Sequence, residues 1–262
     1  MMRFTVFDVG HGSCALATAE NGEAILIDCG HKTEPEYRPS QFLPAMGLRR
    51  LAHLFVTNFD EDHVSDLPQL AQKLDLSPTH FHRNRSMDAN DLRLIKLQSG
   101  PVSPAMSATL NLHQNYIYET PPPLPTPGVS WQTFYNAYPA FTDTNNLSLL
   151  VVLRVGTRTI LLPGDLESPG WEALLPRPDF RAVLGTVHIF IASHHGRDNG
   201  YCADVFTYCH PEVVVFSDSA IRHATQEMAA TYGQHARGTT LNGQPRNVIT
   251  TRQDGTVWWE IP

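Results

Sequence analysis

Short apolar runs separated by polar turns dominate the chain, and only a few stretches carry a helical period. Residues 4–7, 15–18 and 24–27 read as three strands, the last two joined over Glu20-Asn21-Gly22, a hairpin turn. A fourth strand over 54–57 runs into an acidic turn. Residues 66–74 place Leu67, Leu70, Ala71 and Leu74 on one face of a helix. Between 76 and 128 regularity falls away, apart from a helix predicted over 91–97. Within that stretch the run from Pro121 to Pro127 lacks most of the amide donors a helix or central strand needs, so it reads as stiff loop connecting two halves of one domain. The second half returns to strands at 147–153 and 158–162 around Val155-Gly156-Thr157, at 187–192 and at 213–217. Short helices are predicted over 169–175, 203–208 and 225–232. Residues 248–252 and 257–261 close the chain as a hairpin over Asp254-Gly255. Hairpins mixed with strand–helix alternation predict an α/β sandwich of mixed sheets, spanning 1–262 as a single domain.

Composition narrows the class. With 262 residues, 42% of them hydrophobic and 17% charged, the chain can bury a large core and is not a disordered tail. No run approaches the roughly 18 apolar residues that a membrane helix needs. The first residues enter a strand without the basic, apolar and cleavage regions of a signal peptide, so a cytoplasmic location is expected. Cys14, Cys29, Cys202 and Cys209 form no CxxC pair and are expected to be buried apolar residues. A net charge of −7 argues against generic binding along a nucleic-acid backbone. The one basic patch, His82-Arg83-Asn84-Arg85 with Arg93 and Lys96, reads as a solvated loop and helix face. His80, His82 and His113 are likewise expected at the surface.

Candidate chemistry gathers at strand ends. Four apolar strands terminate in metal-competent residues: Ile27-Asp28-Cys29-Gly30, Thr57-Asn58-Phe59-Asp60-Glu61-Asp62-His63, Pro163-Gly164-Asp165-Leu166-Glu167 and Ser193-His194-His195-Gly196. Strand ends are rigid platforms from which short side chains converge, as a cation requires of its ligands. Asp60, Asp62 and His63 can point to one side of a strand–helix turn, although acidic residues also favour a helix start for its dipole alone. Asp165 after Pro-Gly has a similar alternative as a turn former. Two adjacent imidazoles before a glycine are an odd choice for packing.

Taken in order, these segments resemble the metallo-β-lactamase superfamily, and within it the hydrolase domain of the ComEC competence DNA-uptake channel protein and its free-standing relatives. The resemblance also takes in Phe7-Asp8-Val9-Gly10-His11-Gly12, Asn145-Asn146-Leu147-Ser148-Leu149 and Tyr232-Gly233-Gln234-His235, and covers nearly all of the chain outside 76–128. It implies a four-layer αβ/βα sandwich of two mixed β-sheets flanked by helices, with one or two divalent ions (manganese or zinc, with magnesium a third option) at one edge. It assigns Asp60, Asp62, His63, Asp165 and one imidazole of the His194-His195 pair as metal ligands, with His194 the favoured one of the two. His195 is then left near the substrate, and Asp28 beneath the site. Asn58, Asp28, His11 and His235 are assigned to a second metal position or to the residues supporting the ligands. In one respect the sequence departs from the pattern. The family turn is His-x-His-x-Asp-His, or His-x-Asp-x-Asp-His in the DNA-uptake branch, and here the first histidine is Asn58, a poor zinc ligand.

The implied activity is metal-dependent hydrolysis, with a phosphodiesterase or nuclease acting through metal-activated water on nucleic acid or nucleotide as the leading reading. In that scheme Asp62 orients the attacking water, while His195 and Arg197 stabilise the developing anion. No Gly-x-Ser-x-Gly elbow or Cys/His pair offers a protein nucleophile. The acidic charge favours a short anionic substrate or a protein partner that supplies basic surface, and no membrane is implied. Two alternatives stay open: a lactone- or thioester-type hydrolase, and a degenerate binding or regulatory module of a larger assembly, which Asn58 favours.

Overall fold

The computed structural model describes residues 1–72, 78–116, 126–220 and 227–262. Its strands are β1 (Met2–Val6), β2 (Ala15–Thr18), β3 (Ala24–Ile27), β4 (Leu51–Phe55), β5 (Pro78–His82), β6 (Val129–Phe134), β7 (Leu150–Val155), β8 (Arg158–Leu162), β9 (Ile189–Ile191), β10 (Val213–Phe216), β11 (Thr239–Leu241), β12 (Gln244–Arg246), β13 (Val248–Thr250) and β14 (Val257–Ile261). The first sheet has the order β14-β1-β2-β3-β4-β5, the second β13-β10-β9-β8-β7-β6, and β11-β12 is a small separate hairpin. Each large sheet is antiparallel on one side and parallel on the other: β3, β4 and β5 run parallel, as do β8, β9, β10 and β13.

Both faces of these sheets are covered, which is why the strand sequences read as continuous apolar runs. Along β7, Val151, Leu153 and Val155 join Ile25, Ile27, Phe55 and Ile160 in the core between the sheets. Leu150 and Val152, one residue out of phase, face helices Ser168–Leu174 and Pro178–Leu184 through Trp171 and Phe180. Leu26 and Leu54 turn the other way, toward helices Pro39–Ala45, Leu67–Gln72, Ala89–Leu97 and Pro104–Asn115. The layers are helix, sheet, sheet, helix. Each fully buried large aliphatic or aromatic side chain contributes roughly 1.5–3 kcal/mol to these three cores.

Several predicted elements differ in the structure. Residues 248–261 do not form a hairpin: β13 pairs parallel with β10 in the second sheet, and β14 pairs antiparallel with β1 in the first. A helical turn, Thr251–Asp254, carries the chain from one sheet to the other. The stretch 76–128 is more regular than predicted, with edge strand β5 and two helices, the second begun by a Ser103 side chain that accepts from Met106 N and by Pro104 in its first turn. The 203–208 helix is a short 3-10 segment, Ala203–Thr207. The helix expected over 66–74 appears as Leu67–Gln72, preceded by a separate helical turn, Glu61–Val64, and the C-terminal part of the 225–232 prediction appears as Ala229–Gly233. Leu74, 225–226 and most of the proline run lie outside the described residues. All four cysteines are buried and free. Among the described residues no helix is long and apolar enough to cross a membrane.

Candidate metal centre

The parallel halves place the C-terminal ends of β3, β4, β8, β9 and β10 at one edge of the sandwich, where the chain leaves each strand. Asp28 follows β3 and adopts a left-handed conformation with φ of 58°. That turn aims its buried carboxylate at the neighbouring strand end. Oδ1 accepts from Thr57 N at 2.7 Å, and Oδ2 accepts from Thr57 Oγ1 at 2.5 Å and faces His63 Nδ1 at 2.8 Å.

The turn after β4 is fixed from several sides. The Asn58 side-chain oxygen accepts from Asp60 N at 2.8 Å, starting the helical turn Glu61–Val64. Ser13 N donates to the Asp62 carbonyl at 3.1 Å and Cys29 N to the His63 carbonyl at 2.8 Å. Gly30 permits this close approach: a Cβ there would lie 2.0 Å from the Asp62 carbonyl oxygen. Asp165 follows β8 through Pro163-Gly164, and its amide donates to Ser148 Oγ at 3.1 Å.

After β9 the backbone bends sharply, with His194 and His195 both left-handed at φ of 50° and 55°. Such residues cost of order 1–3 kcal/mol each and persist where the surroundings over-determine them. Successive left-handed residues turn the two imidazoles apart. His195 points inward and its Nδ1 meets the Ser217 carbonyl at 2.8 Å. His194 points toward Glu167 Oε1, 3.5 Å away, and Arg197 Nη1, 3.4 Å away.

Ligand-competent atoms of Asp62, His63, Asp165 and His195 consequently lie within 4.8 Å of one another, the group of this kind found among the described residues. His63 Nε2 is 3.0 Å from Asp165 Oδ1, and His195 Nε2 is 3.0 Å from Asp62 Oδ2 and 3.5 Å from Asp165 Oδ1. Tetrahedral bonds of about 2.0–2.2 Å set donor atoms roughly 3.3–3.6 Å apart, so the cluster needs only small adjustments to surround one ion. Both imidazoles are anchored through Nδ1, by Asp28 and by the Ser217 carbonyl, which leaves each Nε2 as the inward lone pair. His195 Nε2 is buried, and among the described residues it faces the carboxylates of Asp62 and Asp165, an atom suited to an electrophile. Two carboxylates and two imidazoles are a hard-to-borderline donor set that fits a divalent cation.

Electrostatics point the same way. Burial opposes charge on His63, but the carboxylates of Asp165 and Asp28 outweigh it and hold its pKa well above the ordinary value. His195 is raised by the same balance, burial being outweighed by Asp165 and Asp62. Burial alone would raise Asp165; the His63 and His195 imidazoles instead keep it at about 2. The site thus gathers positive charge around its carboxylates, as protons or as a cation.

The remaining sequence-predicted residues divide. His194, assigned as a ligand, lies outside the cluster, and His195 takes that place because of the left-handed turn. Asp60, also assigned as a ligand, turns away: its Oδ1 accepts from Lys96 Nζ at 2.6 Å and Thr144 Oγ1 at 3.0 Å. Asn58 is fully engaged, its amide nitrogen donating to Asn145 Oδ1 at 3.0 Å and Ser148 Oγ at 3.3 Å. His11 sits on the rim, its ring 4.5 Å from that of His195 and its Nε2 3.7 Å from Asp62 Oδ2. Arg197 is beside it, Nη2 lying 3.3 Å from His11 Nε2. His235 is elsewhere, 2.9 Å from the Tyr201 hydroxyl and stacked on Phe206. Sequence reasoning missed Thr57, Ser148 and Ser217, whose roles depend on strand neighbours that no local motif reveals. His113 and Arg83, expected at the surface, are buried.

A family model described as the Metallo-beta-lactamase superfamily matches residues 7–201. No curated protein sequence matches the chain. Among solved structures, the chain is similar to Igni18, a metallo hydrolase from Ignicoccus hospitalis, with a TM-score of 0.50 and 11% identity over 99% of this chain and 100% of that one. It is also similar to CmlA, a diiron beta-hydroxylase from Streptomyces venezuelae, with a TM-score of 0.54 and 12% identity over 98% of this chain. The match spans about half of that longer protein, 54% of its length. At these identities the likeness is one of fold.

Proposed function

Because the chain belongs to the metallo-beta-lactamase superfamily, we propose that it is a metal-dependent hydrolase holding one divalent ion between Asp62, His63, Asp165 and His195 and cleaving a phosphodiester. The observation that carries this reading is the pair of Nε2 atoms presented inward, each fixed by a hydrogen bond behind it. A bound divalent ion supplies Lewis acidity and lowers the pKa of a water ligand. The residues supply the rest. Asp62, with about a quarter of its side chain exposed, faces the open side and is placed to accept a proton from the attacking water. Arg197 and His11 line the same rim, and the guanidinium there orients an anionic group. His63 and Asp28 hold the ligand geometry through the reaction.

A single ion is favoured over two because the alternative position is consumed: Lys96 neutralises Asp60 and the Asn58 amide belongs to a turn. The phosphodiester preference rests on the DNA-uptake motif set and on Arg197, and the acidic chain suits a nucleotide or short oligonucleotide better than long duplex. The engagement of Asn58 and Asp60 also favours a second reading, a regulatory module that binds a ligand without turnover. Metal analysis of the purified protein, with bis-p-nitrophenyl phosphate and oligonucleotide assays in added manganese or zinc, separates the two. The hydrolase reading expects about one ion per chain and turnover that Asp165→Ala and His63→Ala abolish. Metal-dependent turnover persisting in both variants contradicts it.

A further inference from the structure

His194, the imidazole that the sequence favours as a ligand, lies outside the metal cluster, and its two ring nitrogens face different partners on the rim. Arg197 Nη1 is 3.4 Å from His194 Nε2, and Arg197 Nη2 is 3.3 Å from His11 Nε2. A guanidinium only donates, so both imidazole nitrogens are acceptors. Both rings are then neutral and carry their hydrogen on Nδ1. In His194 that nitrogen points away from Arg197. It is buried, has no hydrogen bond of its own among the described residues, and faces Glu167 Oε1 at 3.5 Å.

Every member of this line is held from behind. Glu167 directly precedes helix Ser168–Leu174, and its Oε1 accepts from Asn199 Nδ2 at 2.7 Å and from Asn145 Nδ2 at 2.9 Å. The left-handed His194 backbone donates from its amide to the Gly164 carbonyl at 3.1 Å, and its carbonyl accepts from Arg197 N at 3.0 Å. A Cβ at Gly200 would stand 3.0 Å from His194 Cβ, so the imidazole leaves a tightly packed turn. Glu167 keeps the ring hydrogen on Nδ1, which keeps the lone pair on Nε2, which takes one N–H of Arg197 and fixes the guanidinium plane. The line ends at the open side of the metal centre, since His11 Nε2 is 3.7 Å from Asp62 Oδ2. Both guanidinium bonds end on neutral rings, so neither offsets the charge of Arg197, and its other N–H groups are left for an anion. A planar fork steadied on both sides gives up less freedom on binding an oxyanion than a loose arginine does.

We infer that Glu167 and His194 are positioning residues for Arg197, and that the three together make the mouth of the metal centre select an anionic ligand over a neutral one. The inference rests on the hydrolase reading only in taking the anion to be the substrate's phosphate group; the bonds that hold Arg197 exist without turnover. A phosphodiester or phosphate monoester fits such a mouth. A lactone or thioester offers the guanidinium no charge.

The test is isothermal titration of inorganic phosphate into the metal-loaded chain, Glu167→Gln, Arg197→Met and the double variant, with zinc affinity measured on each. Removing a carboxylate near the mouth favours an anion by charge alone, so a Glu167 without a positioning role leaves phosphate binding unchanged or tighter in Glu167→Gln. Positioning predicts the opposite sign, because glutamine can turn its NH2 group to His194 Nδ1 and send the ring hydrogen to Nε2, against the guanidinium. Phosphate should then bind about three- to tenfold more weakly to Glu167→Gln, and about tenfold or more weakly to Arg197→Met, the equivalent of one charge-assisted bond. The double variant should lose no more than Arg197→Met, because Glu167 acts only through the arginine. Zinc affinity of Glu167→Gln should stay near wild type, well short of the roughly 10–100-fold loss expected where a ligand's support is removed. If Glu167→Gln does not fold, His194→Phe, which removes the acceptor without changing charge, decides by the same comparison. Unchanged or tighter phosphate binding in Glu167→Gln, additive losses in the double variant, zinc affinity that falls with phosphate affinity, or no phosphate binding by the loaded wild type overturns the inference. Turnover of bis-p-nitrophenyl phosphate is scored separately. Turnover with phosphate binding unaltered in Glu167→Gln leaves the hydrolase reading standing without the positioning role; the expected phosphate pattern without turnover does the reverse.

Discussion

Replacing Asp28 by asparagine isolates the role of the group behind the metal centre. The carboxylate now serves two N–H donors on different oxygens, Thr57 N at 2.7 Å on Oδ1 and His63 Nδ1 at 2.8 Å on Oδ2. Asparagine keeps the shape but has one oxygen and one NH2 group. Whichever way the amide turns, a donor faces a donor. If the NH2 group faces His63, the ring escapes by moving its hydrogen to Nε2, and that atom ceases to be a ligand. If it faces Thr57, a buried amide is left unpaired at a cost of about 1–3 kcal/mol. Changes behind a metal-bound histidine typically cost about 10–100-fold in metal affinity, equivalent to about 1.4–2.7 kcal/mol. Asp28→Asn should therefore bind zinc or manganese about 10–100-fold more weakly, read by competition with a chromophoric chelator, and fold to the same structure by circular dichroism. Metal affinity within twofold of wild type would refute the claim that Asp28 sets the His63 tautomer.

Gly196→Ala should distort the site from behind: its Cβ would lie 1.9 Å from the Phe216 ring at φ of 80°, so a loss of about 2–4 kcal/mol in chemical denaturation is expected together with weaker metal binding. Asn58→His, despite restoring the family residue, should not raise metal stoichiometry above one ion, because Asp60 stays bound to Lys96; mass spectrometry of the loaded protein checks this. The histidines of the first sheet give a pH signature. Burial lowers His53 to about 4 and His82 to about 3, so between pH 6.5 and those values the unfolded chain binds more protons than the folded one. Stability should then fall as the pH drops through that window, and His82→Gln should flatten the fall in denaturation titrations at stepped pH.

Much of the first half of the fold is legible in the sequence because β2 and β3 pair across a tight turn and β4 runs directly into the site, so local patterns and tertiary partners agree. The end of the chain misleads for the opposite reason. Residues 248–261 have a hairpin's local signature, yet β13 and β14 find better partners in different sheets, a choice made by packing alone. Edge strand β5, Pro-Thr-His-Phe-His, lacks the apolar alternation of a central strand, and its His82 packs against Trp131 of the facing sheet. The site divides similarly. Asp62, His63 and Asp165 were legible as strand-end residues, while the choice between His194 and His195 turned on backbone dihedrals that the His-His-Gly sequence permits but does not dictate. The buried state of Arg83 was hidden because its partner, His113, lies 30 residues away.

Asp62 and His63 leave the first sheet, whereas Asp165 and His195 leave the second. An ion gripped by all four is therefore a rivet through the seam of the sandwich, joining layers that otherwise adhere by apolar contact and a few polar bonds at the same edge. Its occupancy should couple the two halves mechanically, so that chelation lets the seam breathe at the ligand edge first, with amide exchange quickening at Thr57 and Ala192 before it does in the far strands.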